Sequence, residues 1–368
     1  MFSPEFRLLL VSCRLYEPDC SEDEARALLV GGNIDWDRLY SLAAINSVRP
    51  QLAKLIGKIE KELVHDYFKA RINKDYHDNT YDQISYAAEF IRINSMMEEA
   101  GVTIVPFKGF WLAHEYYGNL GDREAGDIDV FTDFSKLPEI KDMMLADGYQ
   151  VEERMADYSI DDLLRKAGEY NFDKIYDGRS VSHFEFHWRI SSPVYGIGIS
   201  PGELEAQVTQ GTLQQQRVKV FNPSADFLLS VLHHGGKDPF NRLKFVLDFA
   251  FILEKHEEID WTWVRKIAGR YNAVNLIYVA VCLAHELLAT PIPPALKNEA
   301  ASKRIRRLTR NRIRFMTKSM DYWHPRIFIN DWLFRIRSRS GLKIKVRLAF
   351  YVMCVLLRRL KSDLLTRS

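Results

Sequence analysis

The chain has 368 residues, 47% hydrophobic and 27% charged, which is enough apolar sequence for a substantial core and two or three domains. Cys13, Cys20, Cys282 and Cys354 form no CxxC pair and no metal-binding spacing with histidine, so they read as small hydrophobes of a reducing compartment. The net charge of +2 conceals a split: from Ser302 onward stand 19 Lys and Arg against 3 acidic residues, and before it 32 against 46.

The opening stretch has a short apolar run broken by Arg14 and followed by Pro18 and Asp19, so no signal peptide is expected. No apolar run is long enough to span a bilayer, and the cytoplasm is the expected location. Residues 1–101 read as an N-terminal helical region. Ser21 and Glu24 have capping-box spacing ahead of Ala25 to Val30, Leu39 to Ala44 suggest a second helix, and Pro50 opens a third. Asn79 or Thr80 is placed to cap a helix running to Ala100, with Ile84, Ala88, Ile91 and Ser95 as its apolar stripe. This region carries no visible chemistry and reads as a scaffold.

Residues 102–222 form the candidate α/β core. Val102, Ile104 and Val105 favour a strand that Pro106 ends just before Lys108-Gly109, and Phe110 to Tyr117 is apolar enough for a short buried helix. Ile128, Val130 and Phe131 mark the next strand. Side chains two apart share a strand face, so Asp127 and Asp129 point one way and Ile128 and Val130 the other. Two neighbouring carboxylates repel, and burying them unpaired is costly. A divalent cation removes the conflict, and Mg2+ takes hard oxygen ligands beside substrate phosphates. Lys108 offers a point charge, Gly109 opens a helix whose free N–H groups favour an anion, and Arg123 offers a planar fork. Further on, Ser135 to Gly148 reads as an amphipathic helix, Tyr149 to Val151 as an edge strand and Asp157 to Lys166 as a helix or lid. Tyr170 to Ile175 and Val218 to Phe221 read as strands. Ser182 to Ile190 alternates Phe184, Phe186 and Trp188 with Glu185 and His187, which puts the last two on one face.

Residues 223–300 read as a helical region that contacts substrate or nucleotide. Leu228, Val231 and Leu232 form one apolar stripe and Phe245 to Leu253 another; Val274 to Leu288, apolar nearly all round, fits a bundle interior. His233, His234, Lys237, Arg242, Lys244 and Asp248 cluster about one helix-turn-helix, with Lys244 and Asp248 spaced for an ion pair. His187, His233, Lys237, Arg242 and Asp248 are candidate substrate contacts. Residues 301–368 make a basic C-terminal helical region containing the apolar run Leu348 to Leu357, flanked by Arg347, Arg358 and Arg359. That pattern suits an anionic membrane surface or nucleic acid, with a core helix over Leu348 to Leu357 as the alternative.

The order Lys108-Gly109, helix, Arg123, Gly126-Asp127-Ile128-Asp129 resembles the polymerase-β-like nucleotidyltransferase superfamily, and within it an uncharacterised bacterial branch in which Lys-Gly replaces the usual Gly-Ser. The strand SHFEFHWRI, Ser182 to Ile190, matches that family's acid-apolar-His-Trp pattern with Glu185 in the acidic slot. Leu228 to Leu253 is similar to its His-rich, Arg-Leu-Lys, Asp-bearing helices. The resemblance implies an α+β, mainly helical fold, with a nucleotidyltransferase core built on a small mixed sheet and helical regions at both ends. It implies Asp127, Asp129 and Glu185 as catalytic residues and as ligands of Mg2+ or Mn2+, and Lys108, Gly109 and Arg123 as nucleotide-binding residues. The implied reaction moves a nucleoside monophosphate from an NTP, ATP foremost, to a hydroxyl of a small molecule, carbohydrate or protein, with Glu185 nearest that hydroxyl. Two other readings stay open: a non-catalytic nucleotide-binding regulatory module, and an RNA-directed nucleotidyltransferase that uses the basic C-terminus.

Overall fold

Capping chemistry sets where the first helices begin. The computed structural model describes residues 2–14, 18–31, 33–255, 258–317 and 325–365. It opens with α1 (Pro4–Cys13), α2 (Pro18–Gly31), α3 (Trp36–Asn46) and α4 (Arg49–Lys58). Ser3 and Asp35 side chains accept the early amides of α1 and α3. The Ser21 side chain, half of the expected capping box, lies outside the described residues.

The next helix, α5 (Asp66–Glu99), differs from expectation. It starts well before Asn79 because no Gly or Pro interrupts residues 66–99. Thr80 returns its hydroxyl to Tyr76 O one turn back, while Asn79 reaches out to the carbonyls of Gly121 and Arg123. The buried face is Gln83, Ala87, Phe90, Asn94 and Met97, one residue away from the predicted stripe, and Ile84 is exposed.

The main sheet is small and mixed. β1 (Val105–Pro106) pairs antiparallel with β2 (Ile128–Phe131), and β2 runs parallel to β5 (Arg179–His187). β5 pairs antiparallel with β4 (Glu169–Tyr176), and β3 (Gln150–Val151) forms the far edge. Asp177 and Gly178, both at positive φ, close the β4–β5 hairpin in a two-residue turn. Between the strands lie α6 (Gly109–Leu112), prolonged as a π-turn through Tyr117, then α7 (Leu137–Ala146) and α8 (Ile160–Lys166). After α9 (Pro201–Leu204) comes a separate hairpin of β6 (Val208–Leu213) and β7 (Gln216–Phe221). Sequence patterning marks β7 alone. β6 escapes it because the hairpin turns on Gln214-Gln215, which reach positive φ without a glycine or asparagine.

The remainder is helical: α10 (Pro223–Gly236), α11 (Leu243–Lys255), α12 (Trp261–Arg270), α13 (Val274–Leu288), α14 (Lys297–Ala300), α15 (Lys303–Met316), α16 (Pro325–Ser338) and α17 (Leu342–Leu365). α13 is buried along most of its length at the centre of this bundle. One apolar core runs from Phe6 to Phe334 and joins the sheet to helices on both sides. The run Leu348 to Leu357 is not a core helix, since Phe350, Met353 and Leu357 of α17 face solvent. Among the described residues, no helix is long and apolar enough to cross a membrane. The architecture is the mainly helical α+β fold with a small mixed sheet that the sequence implies.

Candidate active site

The parallel register of β2 and β5 sets Asp129 directly beside Glu185, and Phe131 beside His187. Ile128, Val130, Phe184 and Phe186 are fully buried on the opposite face, so the strands cannot slip without drowning the carboxylates in the core. Asp127 stands at the mouth of β2. A cavity of about 320 Å³ brings Asp127, Asp129 and Glu185 together with Lys108, Gly109 and Arg123, and with His233, Lys237, Arg242 and Lys244 from the α10–α11 turn. His187 and Asp248 lie directly behind its walls, in contact with Asp129 and Arg123. Acidic strand ends thus face a largely cationic helical turn.

Lys108 has φ 60° and ψ −149°, a region that only glycine enters cheaply, at a cost of about 1–3 kcal/mol. The strain aims its Nζ at Asp129 Oδ1, 2.7 Å away, with His233 Nε2 at 3.4 Å. Gly109 follows at φ 41°, and a Cβ there would meet the Asp127 carbonyl at 3.3 Å. The turn therefore needs its glycine for conformation and for clearance. His233 Nδ1 lies 2.9 Å from the Ile190 carbonyl, which can only accept; the proton sits on Nδ1 and leaves Nε2 to face Lys108. Burial, helped by Lys108 and Lys237, keeps the His233 pKa well below its usual value.

The three carboxylates do not share their charge equally. Burial, then the charges of Asp129 and Glu185, raise the Asp127 pKa to about 6. Burial also acts against Asp129, but the Lys108 ammonium and His187 N–H outweigh it and hold that carboxyl below its ordinary value. Glu185 is lowered well below its ordinary value by His183 and His187, again against burial. His187 itself is fully buried, which alone would lower its pKa. Its Nε2, 2.9 Å from Asp129 Oδ1 and 3.2 Å from Glu185 Oε2, instead raises it to about 9.

Arg123 corrects an expectation. Its fork is not open to a phosphate, because Nε and Nη2 bind Asp248 at 2.7 and 2.9 Å in a fully buried bidentate pair. Nη1 reaches the Gly109 carbonyl at 3.3 Å. Asp248 is accordingly taken by Arg123 and by the Tyr117 hydroxyl at 2.7 Å, and is not a free substrate contact. Nor does Lys244 pair with Asp248 as helix spacing suggests; its Nζ donates to the Glu124 carbonyl at 2.9 Å. Arg242 lines the cavity and donates to Ser47 Oγ at 3.1 Å. The loop carrying Arg123 is itself held by α4 and α5: Gln51 donates to Asp122 O, Asn79 to Gly121 O, Gln83 to Ala125 O, and Arg49 pairs with Glu124.

Strand β4 adds residues that sequence reasoning passed over. Glu169, Asn171 and Asp173 pair opposite His187, Glu185 and His183. Asn171 Nδ2 lies 3.4 Å from Glu185 Oε1, and Glu169 Oε2 is 3.6 Å from Lys237 Nζ. Their signal was available, since they alternate with the buried Tyr170 and Phe172. Among the described residues, ligand atoms close enough to hold a metal occur in Asp129, Glu185 and His187, and in His233, His234 and Asp238. The first group has two carboxylates, with Asp127 nearby and Lys108 on Asp129; the second has one, with Lys237 beside it and Lys108 3.4 Å from His233.

The α+β fold thus sets acidic residues of adjoining strands across one cavity from the lysines of a helical turn. A family model described as uncharacterised nucleotidyltransferase matches residues 32–289, and the chain belongs to that family. No curated protein matches the chain.

Proposed function

We propose that the chain is a metal-dependent nucleotidyltransferase whose chemistry rests on Asp127, Asp129 and Glu185. The observation that carries this reading is the two-sided cavity, with Asp127, Asp129 and Glu185 on the strand side, Lys108 beside them, and Lys237 and Lys244 on the helical turn opposite. The carboxylates fit a divalent cation: they are hard oxygen donors, and burial together with the charges of Asp129 and Glu185 lifts Asp127 to about 6. They would hold Mg2+ or Mn2+, which when bound supplies Lewis-acid polarisation of phosphate oxygens and of an acceptor hydroxyl.

The protein's own groups divide the remaining work. Lys108, Lys237, Lys244 and the Gly109 amide bind the triphosphate of an NTP and orient its α-phosphate toward the strand ends. Arg123 is a positioning residue that fixes the Gly109 carbonyl from its pair with Asp248. Glu185, held ionised by His183 and His187, takes the proton of the acceptor hydroxyl. His187 keeps the Asp129 carboxylate turned into the cavity. Residues 102–222 carry the chemistry, 223–300 the contact with nucleotide and acceptor, and 1–101 brace the loop before Asp127. The acceptor is a small molecule, a carbohydrate or a protein.

The test uses an NTP labelled at the α-phosphate, Mg2+ or Mn2+, and a panel of hydroxyl acceptors. Asp127→Ala/Asp129→Ala should fold and transfer no label, and Glu185→Gln should slow transfer by about 10²–10⁴-fold. Transfer at the parent rate by the folded double variant would overturn the assignment. One observation favours a second reading, a nucleotide-binding module without turnover: Lys108 already neutralises Asp129 at 2.7 Å, where a cation would otherwise act. Tight NTP binding by calorimetry, independent of Mg2+ and without pyrophosphate release, would decide for that module.

A further inference from the structure

The basic C-terminal region holds two surface features that the cavity does not use. The first is a cleft of about 1000 Å³ between α15 and the helices after it. Arg306, Arg307, Arg310 and Arg314 line it from α15, Arg337 from α16 and Lys345 from α17; none of its lining residues is acidic. Arg306, Arg307, Arg310, Arg314 and Arg337 are exposed, while Ile305, Leu308 and Ile313 turn inward. The second is an apolar stripe on α17. Leu342, Val346, Phe350, Met353 and Leu357 recur at helical spacing and expose between 50% and 77% of their surface. α17 is nonetheless docked: Leu348 is fully buried, Tyr351 packs 5.3 Å from the Trp332 ring, and Arg347 donates to Pro193 O at 2.7 Å. The stripe points outward because of how the helix sits, not for want of a seat.

Lys345 joins the two features, for it lines the cleft and flanks the stripe on one side, while Lys343 flanks it on the other. Cations on both sides of an outward apolar stripe are the pattern of a helix lying in a lipid interface. We propose that α17 and the α15 cleft together form a docking surface for an anionic lipid bilayer, with the α17 stripe in the acyl boundary and the cleft arginines on lipid phosphates. A second copy of the chain fits worse, because residues 342–357 of an apposed stripe offer no carboxylate to receive Lys343 and Lys345. RNA fits worse as well, since Leu342, Val346, Met353 and Leu357 have nothing to gain from a phosphate backbone. The proposal does not rest on nucleotide transfer.

The experiment is co-sedimentation of the full chain with vesicles of phosphatidylcholine alone or mixed with phosphatidylglycerol, at low and physiological salt. Each Lys or Arg at an anionic leaflet is worth about 1 kcal/mol, so several together should raise binding to the mixed vesicles by more than about tenfold. Phe350→Asp/Met353→Asp and, separately, Arg306→Glu/Arg310→Glu should each lose at least that factor. All four side chains are exposed, and unchanged circular dichroism and melting confirm the fold. Parent-level vesicle binding by either variant overturns the proposal. So does parent-level binding to phosphatidylcholine alone. Binding of a short RNA that depends on Arg306 and Arg310 but not on Phe350 and Met353, without vesicle binding, would assign the cleft to nucleic acid. A dimer by light scattering that Phe350→Asp/Met353→Asp dissolves would assign the stripe to a second copy.

Discussion

Asp226 shows how one residue can tie the core to pH. It is buried in α10, and its Oδ2 accepts from Tyr116 Oη at 2.7 Å and Trp111 Nε1 at 3.1 Å, while Oδ1 has no partner. Burial raises its pKa to about 7 against the two hydrogen bonds. The folded state thus prefers the protonated acid, and each tenfold gain in proton affinity is worth about 1.4 kcal/mol. The contribution is whole below about pH 4 and lost as pH rises through about 7. Asp226→Asn removes that loss, so thermal melts should show the variant gaining on the parent from pH 5 to about pH 7 and levelling off by pH 8. A constant difference across that range would show that Asp226 is ionised throughout. Residue by residue, the site was legible where chemistry is local: Asp127 and Asp129 share a strand face by period alone. Arg123 was not legible, because its partner Asp248 stands far along the chain and only the fold brings them together.

At the scale of elements, the Arg123–Asp248 pair bolts the loop after α6 to α11. Removing either partner leaves a buried charge alone, which costs about 3–5 kcal/mol. Arg123→Ala and Asp248→Ala should each destabilise by that order in urea melts, and the double variant by less than their sum, with a coupling of about 1–3 kcal/mol. Arg123→Lys should not restore the parent, because an ammonium cannot fill two carboxylate oxygens and the Gly109 carbonyl at once. Strict additivity would mean that packing, and not the pair, joins loop to helix. Element boundaries are legible where turn chemistry is ordinary, as at Asn222-Pro223 ahead of α10. They fail on α5, whose inner face carries Gln83 and Asn94, so the apolar pattern reads one residue over. Gln83, with Asn79, belongs to the loop it holds more than to the helix that bears it.

Across the whole molecule, the charge split has a meaning that composition could not give. Arg312, Arg335 and Arg339 from the basic region are buried. Arg312 pairs with Asp331 at 2.7 Å and also donates to Pro239 O. Arg335 donates to the carbonyls of Gly236 and Lys237, and Arg339 to those of Tyr271 and Tyr195. Arg335 in particular sits at the C-terminal end of α10, where free carbonyls and the helix dipole favour a cation. Part of the basic region therefore braces the turn that bears Lys237, and the exposed remainder is free to meet a surface. Counting arginines cannot separate the two groups; burial does.

The parallel pairing of β2 with β5 also sets an order of assembly. β4 and β5 meet across the Asp177-Gly178 turn and can close quickly, whereas β2 joins β5 only after everything from Thr132 to Tyr176 has folded back. Asp129 and Glu185 are thus strangers until late in folding, and the last step is the one that forces their charges together. In stopped-flow refolding, helical signal should return first and nucleotide binding with the slowest phase. Adding Asp127→Asn, which relieves the repulsion from Asp129 and Glu185, should quicken that phase alone. Simultaneous recovery of both signals in parent and variant would show that the strands meet early.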